Sequence, residues 1–284
     1  MTEKGKDLFE ELKEKIGKVE QEGTSEKAFT DFWRLACFAK NKQNVQTHKY
    51  EDSTQEFLDK KRDYVRQMRD DFLRNIDAYV EQCIKVMERN KCKVYYAKTN
   101  EEAHEIFLKE VGDTKVVYKS KSSEAKDIGL VELMKENDIE VKETDLGDVF
   151  IQLFDYKLPT YQVGPGIHFE VDEIVQKIKE KHGVELDEDP NAIVQYFRET
   201  YRKELLNEVN VSLTSANAIS AEDGAIVLLE NEGNISLITR TTEKHIVAVG
   251  ISKIVPTLFD AILTTKIVER TNNAELSYIS LIYG

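Results

Sequence analysis

The sequence TSANAISAEDGAIVLLENEGN, residues 214–234, carries the clearest structural signal in the chain. Two apolar runs, residues 211–219 and 225–229, flank the pair Asp223-Gly224. Apolar runs separated by an Asp-Gly pair are a strong local signal for a tight β-hairpin, since these two residues accept the backbone angles of the turn. The stretch therefore predicts two strands that are joined at residues 223–224.

Polar side chains gather around this hairpin and the turn that follows it: Thr214, Asn217, Glu222, Asn231, Glu232 and Asn234. Amides, hydroxyls and carboxylates at strand ends are typical of a ligand site. Asn and Asp are also common turn residues, and the spacing alone favours this simpler interpretation. Both interpretations stay open at this point.

The acidic composition argues against a nucleic-acid partner. Of 284 residues, 53 are Asp or Glu and 40 are Lys or Arg, which gives a formal net charge of -13. The sequence has no basic face with interleaved aromatic residues. No apolar run reaches the roughly 20 residues of a membrane helix, and the charged N-terminus lacks the apolar core of a secretory signal. We therefore expect a cytoplasmic protein with no membrane partner.

The cysteines predict no metal site. Cys37, Cys83 and Cys92 are far apart in the sequence and form no C-x-x-C spacing. Zinc and iron–sulfur sites take sets of closely spaced thiolate or imidazole ligands, which this chain alone does not supply. We predict that the chain itself binds no metal and no redox cofactor.

The chain divides near residue 90. Residues 1–90 contain no proline and are predicted to be helical, with an apolar stripe at steps of three and four: Val65, Met68, Phe72, Ile76, Tyr79, Cys83 and Met87. The stripe is most simply a packing face, and an arm for a partner subunit is the alternative. The apolar residues 32–38 predict a shorter helix that folds back or forms a contact surface.

Residues 91–284 alternate between strands and helices. We predict strands at residues 93–97, 115–118, 139–144 and 161–163 with helices between them, then strands at 211–219, 225–230, 235–240 and 245–250, and a helix from about Pro256. Such alternation implies right-handed crossovers and a mainly parallel sheet. The predicted fold is α/β, a mainly parallel sheet with an antiparallel extension, preceded by a helical N-terminal arm.

Two predicted strand ends carry groups that suit an anion or a hydroxyl. Ligands of open α/β sheets gather at the carboxyl ends of the strands. Lys119-Ser120-Lys121-Ser122 supplies ammonium groups and hydroxyls for a phosphate or carboxylate, or else forms a solvated loop. Asp145 follows the next strand, where it holds a ligand hydroxyl, acts as a base or caps the following helix.

A third strand end, residues 164–168, reads GPGIH. Gly164 and Gly166 would let a ligand approach the backbone closely. His168 follows them and titrates near neutral pH. His245, at the start of an apolar strand, is the other candidate for proton transfer. A lone histidine in either place is more often structural.

The order of six segments is similar to the LUD family, the lactate-utilisation domain. The segments are KSKS (119–122), ETDLGD with IQL (143–153), PGIH (165–168), TSANAISAEDG (214–224), LLENEGN (228–234) and HIVAVGISKIVPT (245–257). The resemblance runs from about Tyr95 to the C-terminus. Each segment alone is weak, whereas all six in this order and spacing are specific.

The resemblance implies both a fold and a function. LUD proteins are similar to the NagB/RpiA/CoA-transferase group, whose α/β sheet binds phosphorylated sugars, CoA thioesters or folates. The helical N-terminal region most resembles the B-type iron–sulfur subunit of the complex that oxidises L-lactate to pyruvate. Such subunits carry [4Fe–4S] clusters in a ferredoxin-like C-terminal region. We expect the clusters only in a missing C-terminal region or in partner subunits.

We therefore expect a subunit of an L-lactate-oxidising electron-transfer assembly that binds a small anionic ligand. The expected site residues are Lys119, Ser120, Lys121 and Ser122 for the anion, Asp145, Gly164, Gly166, Thr214, Asn217, Asn231, Glu232 and Asn234 for the pocket, and His168, His245 and Glu222 as catalytic candidates. One alternative is an autonomous sugar-phosphate isomerase or acyl-CoA-type enzyme with Glu222 as base or nucleophile. Another is a non-catalytic scaffold for iron–sulfur partners. A homo-oligomer is compatible with each.

Overall fold

The computed structural model describes residues 52–155, 165–166, 169–207, 209–271 and 278–284. The predicted helix at residues 32–38 and the predicted strand at 161–163 lie outside these ranges. The described residues fall into two compact units. One unit comprises residues from 147 to 195, and the other comprises residues 52–146 together with those from 196 onward.

The described chain contains helices and short strands in alternation. The helices are α1 (Asp52–Arg74), α2 (Ile76–Arg89), α3 (Asn100–Val111), α4 (Ser123–Asp127), α5 (Leu130–Glu136), α6 (Leu146–Leu153), α7 (Val171–His182), α8 (Pro190–Asn207), α9 (Asn234–Thr241) and α10 (Leu258–Thr271). The strands are β1 (Val116–Lys119), β2 (Glu140–Glu143), β3 (Val211–Thr214), β4 (Ala218–Ser220), β5 (Ile226–Glu230), β6 (Lys244–Val247), β7 (Ile254–Val255) and β8 (Tyr278–Ile282).

Local sequence signals begin and end several of these helices. The Thr99 hydroxyl accepts a hydrogen bond from the Glu102 amide at the start of α3. Pro190 is the first residue of α8, where its missing N–H costs nothing. Gly183 ends α7 in the left-handed conformation that glycine tolerates best.

The first sheet is parallel throughout, with the strand order β2-β1-β3-β6. Val117, Val141 and Leu213 face one side and pack in one core cluster with residues of α3 and α5. Tyr118 faces the other side, where it packs against Leu205 and other apolar residues of α8 and α9. Helices therefore cover both faces, and the carboxyl ends of all four strands meet at one edge. The predicted mainly parallel sheet is confirmed.

The second sheet has the order β7-β4-β5-β8 and is mixed. The strands β4 and β5 form the predicted antiparallel hairpin, β8 extends it antiparallel, and β7 adds a parallel edge. The apolar stripe of α1 and α2 packs on this sheet, with Phe72 and Cys83 in a cluster that includes Ile219 and Ile226. The packing interpretation of the stripe is confirmed.

The predicted strand at residues 211–219 is wrong as a single element. The chain forms β3 in the first sheet and then, after three residues, β4 in the second sheet. Asn217 holds the crossing point, because its side-chain oxygen accepts from the Leu229 amide at 2.7 Å and its own amide donates to Val227 at 2.9 Å. The Asn217 side chain thus takes the place of a backbone hydrogen bond between the β4 and β5 segments.

Two further strand predictions are wrong. Residues 235–240 belong to helix α9. This helix begins after Gly233, which has the left-handed conformation, and the Glu230 carboxylate accepts a hydrogen bond from the Ser236 amide in its first turn. Residues 93–97 form no strand with any other part of the described chain. Their side chains bond to a helix instead, since Lys93 and Tyr95 both contact the Glu110 carboxylate.

Candidate functional site

The carboxyl edge of the first sheet brings three hydroxyl side chains side by side. Lys119, the last residue of β1, lies opposite Leu213. The ladder continues one residue further, because the Ser120 amide donates to Leu213 O and the Thr144 amide donates to Lys119 O, each at 3.0 Å. Thr144, Ser120 and Thr214 therefore follow one another across β2, β1 and β3. We call these three residues the hydroxyl row.

The neighbouring ammonium group of Lys119 is already paired. Its Nζ lies 2.9 Å from Oε2 of Glu143 and donates to Ser120 O at 3.1 Å, and both charged residues are 5% exposed. A buried pair of this kind neutralises its own charge. Lys121 is exposed and has no ion-pair partner in the described part of the chain. Of the two predicted lysines, Lys121 is therefore the one left for an anionic ligand.

A second charged group borders the same edge. Glu124 of α4 accepts from the Ser215 hydroxyl at 2.8 Å and lies 3.1 Å from Nζ of Lys253. Burial pushes the pKa of Glu124 upward, but hydrogen bonds from Ser215, its own backbone and Lys253 outweigh burial and hold this pKa below its ordinary value. Glu124 is thus an ionised carboxylate that fixes the start of the β3–β4 crossing. Spacing in the sequence gave no signal for this contact.

The hydroxyls along the edge differ in their partners. Ser122 accepts from the Ala125 amide at 3.0 Å and caps α4. Thr144 Oγ1 donates to Lys119 O at 3.2 Å and lies 3.2 Å from Nδ2 of Asn234. Ser120 is 1% exposed, and its Oγ has no hydrogen-bond partner among the described residues. A buried hydroxyl without a partner is costly, so it needs an explanation.

His245 reaches the row from β6. Its Nε2 lies 2.7 Å from Oγ1 of Thr214, which is fully buried. Burial lowers the pKa of His245 to about 4, so the imidazole is neutral near pH 7. The structure therefore brings together Ser120, Thr214 and His245 of the predicted site residues, with Asn234 beside Thr144.

The hairpin turn is not part of this group. The Glu222 carboxylate accepts from the Leu258 amide at the start of α10, at 3.4 Å. Asp223 accepts from the Tyr283 hydroxyl at 3.0 Å, and its backbone carbonyl accepts from Asn90 Nδ2 at 2.7 Å. The turn is thus docked against other elements of the second sheet and its helices. Asn217 braces the crossing described above rather than the row.

The LLENEGN segment contributes one buried residue that sequence reasoning missed. Asn231 and Glu232 are exposed, whereas Glu230 is 2% exposed. The Glu230 carboxylate accepts from the amide and hydroxyl of Ser236 and from the Ser280 hydroxyl. A carboxylate at a helix N-terminus is stabilised by the helix dipole. An acidic residue shortly before a glycine is the signal that could have indicated this cap.

The remaining predicted residues lie around α6 or outside the described ranges. Asp145 is half-buried and directly precedes α6. Gly164 and His168 lie outside the described residues. Gly166 has a φ of 72°, and a Cβ there would lie 2.9 Å from the carbonyl oxygen of Gly147 in the same unit. The close approach at Gly166 is therefore made by backbone of its own unit.

The donor set does not fit an iron–sulfur cluster. A [4Fe–4S] cluster takes four thiolates, and the chain has three cysteines. Cys83 is buried in the core, and burial raises the pKa of its thiol to about 11. In the described ranges, no group of three or more His, Cys, Asp or Glu side chains is placed to hold a metal ion. We therefore assign no step to a cluster on this chain.

None of the helices described above is both long and apolar enough to cross a bilayer.

Comparison with known proteins gives one family. A sequence model of the LUD domain matches residues 80–284. A lactate utilization protein B from Shouchella clausii is 35% identical over 199 residues, which are 69% of this chain and 42% of that protein. One from Geobacillus thermodenitrificans is 30% identical over 228 residues, 78% of this chain and 48% of that protein.

An Escherichia coli protein described as an uncharacterized electron transport protein, YkgF, is 33% identical over 219 residues. The match covers 76% of this chain and 46% of that protein. The chain thus spans a little less than half the length of these curated relatives. No solved structure matches the chain significantly.

Proposed function

Because the chain belongs to the LUD domain family, we propose that it is a subunit of a cytoplasmic assembly that oxidises L-lactate to pyruvate and passes the electrons on. The printed names of the relatives support this proposal, since they describe lactate utilization and electron transport. The redox centre is expected on a partner subunit or on a further region of the protein, because three cysteines do not supply the four thiolates of a [4Fe–4S] cluster.

The role proposed for this chain is to bind and orient a small carboxylic acid at the carboxyl edge of the first sheet. Ligands of doubly wound sheets bind at this edge. The Lys121 ammonium would attract the carboxylate, whereas Lys119 is held by Glu143. The observation that carries the proposal is the buried Ser120 hydroxyl, which directly precedes Lys121 in the sequence. This hydroxyl is a polar group for which the described fold offers no hydrogen-bond partner.

The proposal is tested by deleting the gene in its source organism. We expect the deletion to abolish growth on L-lactate as the sole carbon source and L-lactate-dependent dye reduction in cell extracts. The wild-type gene should restore both. Lys121→Ala should lower dye reduction by about tenfold at low lactate, the loss expected for one charge-assisted hydrogen bond.

Lys126→Ala is the matched control, because Lys126 is an exposed lysine of the neighbouring α4 helix. It should restore growth and dye reduction fully. Growth and dye reduction that survive the deletion would contradict the proposal. Turnover of a sugar phosphate or a CoA thioester by the purified chain would favour the autonomous enzyme instead.

A further inference from the structure

Ser120 faces the side of the first sheet that helix α9 covers. Side chains alternate along a strand, so Ser120 points to the same face as Tyr118. Tyr118 packs in one cluster with Leu237 and Ile238 of α9. The alternation extends to Ser120, because its amide continues the ladder by donating to Leu213 O. The Ser120 hydroxyl, which has no partner in the described part of the chain, is therefore directed toward the α9 side.

Helix α9 begins at the same edge, beside the residue that lies next to Ser120. Thr144 is opposite Ser120, since the β1–β2 register continues and the Thr144 amide donates to Lys119 O. Asn234, the first residue of α9, donates from Nδ2 to Oγ1 of Thr144 at 3.2 Å. Neighbouring strands lie about 4.8 Å apart, so the start of α9 and the Ser120 hydroxyl border one space.

Two amide groups at the start of α9 point toward this edge. The helix runs from the edge back along the sheet, because the hydroxyl of Thr242, at its C-terminal end, contacts the Ser212 hydroxyl at 2.8 Å. The N–H groups of a helix point toward its N-terminus, which here lies at the carboxyl edge. Within the residues that the structure describes, the Asn234 and Ile235 amides donate to no acceptor.

A carboxylate matches these three donors, which are the Ser120 hydroxyl and the amides of Asn234 and Ile235. An ionised carboxylate only accepts, and its two oxygens can bond to separate donors. The partial positive charge of a helix N-terminus favours an anion. Lys121 is exposed and directly follows Ser120, so its ammonium group adds a positive charge nearby.

The Glu230 carboxylate limits the charge of the ligand. It is 2% exposed and already accepts from the Ser236 amide, the third amide of α9. Two negative groups at one helix end repel each other, and the repulsion grows with the charge of the ligand. A carboxylate brings one negative charge, whereas a phosphate monoester brings about 1.5 to 2 at pH 7. The arrangement is therefore suited to a carboxylate.

We propose that Ser120 and the first turn of α9 form a carboxylate subsite that prefers a monoanionic acid to a phosphate monoester. One oxygen of the acid accepts from the Ser120 hydroxyl, and the other accepts from the amides of Asn234 and Ile235. The Asn234 side chain is a positioning group, since it fixes the start of α9 on Thr144. This inference rests on the proposed function, from which it takes the carboxylic acid.

Calorimetric titration of the full chain with L-lactate tests the subsite through Asn234. We expect Asn234→Asp to weaken binding about tenfold, because a carboxylate at the first position of α9 repels the ligand and competes for the same amides. Asn234→Ala should weaken binding less than about threefold, since it leaves the amides free. Both variants lose the bond to Thr144, so the difference between them measures the added charge.

Gln67→Glu is the matched control, because it makes the same amide-to-carboxylate change at an exposed residue of α1. It should leave the affinity for L-lactate unchanged. Ser120→Ala should weaken binding about fivefold, the effect of one hydrogen bond. It removes a hydroxyl without a described partner, so it keeps the test valid if an Asn234 variant fails to fold.

Titration with methyl phosphate, a simple phosphate monoester, tests the charge preference. We expect L-lactate to bind at least about tenfold more tightly than methyl phosphate at pH 7. Glu230→Gln keeps an acceptor for Ser236 but removes the charge, so it should raise the affinity for methyl phosphate more than that for L-lactate. Tighter binding of methyl phosphate than of L-lactate to the wild type would overturn the preference.

The outcomes separate the two proposals. Equal losses in Asn234→Asp and Asn234→Ala, or an unchanged affinity for L-lactate in Ser120→Ala, overturn the subsite. The proposed function still stands in that case if Lys121→Ala weakens the binding of L-lactate. Binding of no carboxylic acid overturns both.

Discussion

Thr214 and His245 lie on neighbouring parallel strands and are joined by a contact of 2.7 Å between Oγ1 and Nε2. In the register of these strands His245 is opposite Ser212, so its side chain leans toward the carboxyl edge to reach Thr214. The same edge carries Ser120 and the Lys119–Glu143 pair. Strands distant in the sequence thus combine into one polar site.

The neutral state of His245 predicts a pH dependence of stability. Its folded pKa of about 4 lies below the ordinary value of 6.5, so between these values the unfolded chain binds more protons. The stability contributed by the neutral ring is present above about pH 6.5 and is lost as pH falls toward 4. The loss is on the order of 3 kcal/mol over this window.

Urea unfolding near pH 7 and near pH 4.5 measures this effect. His245→Gln should lose less stability than the wild type on acidification, since glutamine does not titrate. Equal losses in the two proteins would show that His245 is not held neutral by burial. The carboxylates titrate in both proteins, so their contribution cancels in the difference between the two losses of stability.

Ser120 and Ser122 predict opposite changes in stability. Ser120→Ala removes a buried hydroxyl without a described partner and should raise the free energy of unfolding by about 1 kcal/mol. Ser122→Ala removes the cap of α4 and should lower it by about 1 kcal/mol. Urea unfolding of both variants is the measurement. A destabilised Ser120→Ala protein would mean that this hydroxyl has a protein partner.

The Lys119–Glu143 pair predicts strong non-additivity. Lys119→Met leaves the Glu143 carboxylate buried without its cation and should cost about 3–5 kcal/mol. The double variant Lys119→Met with Glu143→Leu should recover most of this loss, which a double-mutant cycle measures. The exposed pair of Lys85 and Glu81 is the control and should change stability by less than about 1 kcal/mol when broken. Additive losses at the buried pair would contradict the account.

The stability of helix α9 is predicted to depend on the Glu230 carboxylate. Glu230→Ala leaves the Ser236 amide and two hydroxyls without their acceptor and should cost about 2 kcal/mol or more. Glu243→Ala, at an exposed carboxylate just after α9, should change stability by about 0.5 kcal/mol or less. The thermal unfolding midpoints of the two variants measure this difference. Similar midpoints would show that α9 forms without this cap.

Features that depend on neighbouring residues follow from the sequence. The Asp223-Gly224 hairpin and the alternation of strands and helices that builds a parallel sheet are of this kind, and both are confirmed. The apolar stripe of α1 and α2 is likewise a local pattern, and its partner is the second sheet.

Predictions fail where a hydrogen bond or an ion pair from another element decides the structure. Residues 235–240 contain apolar residues that fit a strand, and only the Glu230 carboxylate shows that a helix begins there. The run at residues 211–219 looks continuous, and only the bond from the Leu229 amide to Asn217 shows where it changes sheet. The sequence predicts that Lys119 binds an anion, whereas in the fold its ammonium group is paired with Glu143 of the neighbouring strand.

Calorimetric titration of the purified chain with L-lactate, ribose 5-phosphate and acetyl-CoA, each in a separate experiment, tests whether the carboxyl edge of the first sheet binds a small carboxylic acid. We expect L-lactate to bind at one site and Lys121→Ala to weaken this binding about tenfold, whereas Lys126→Ala should leave it unchanged. Binding of ribose 5-phosphate or acetyl-CoA without any binding of L-lactate would contradict this expectation.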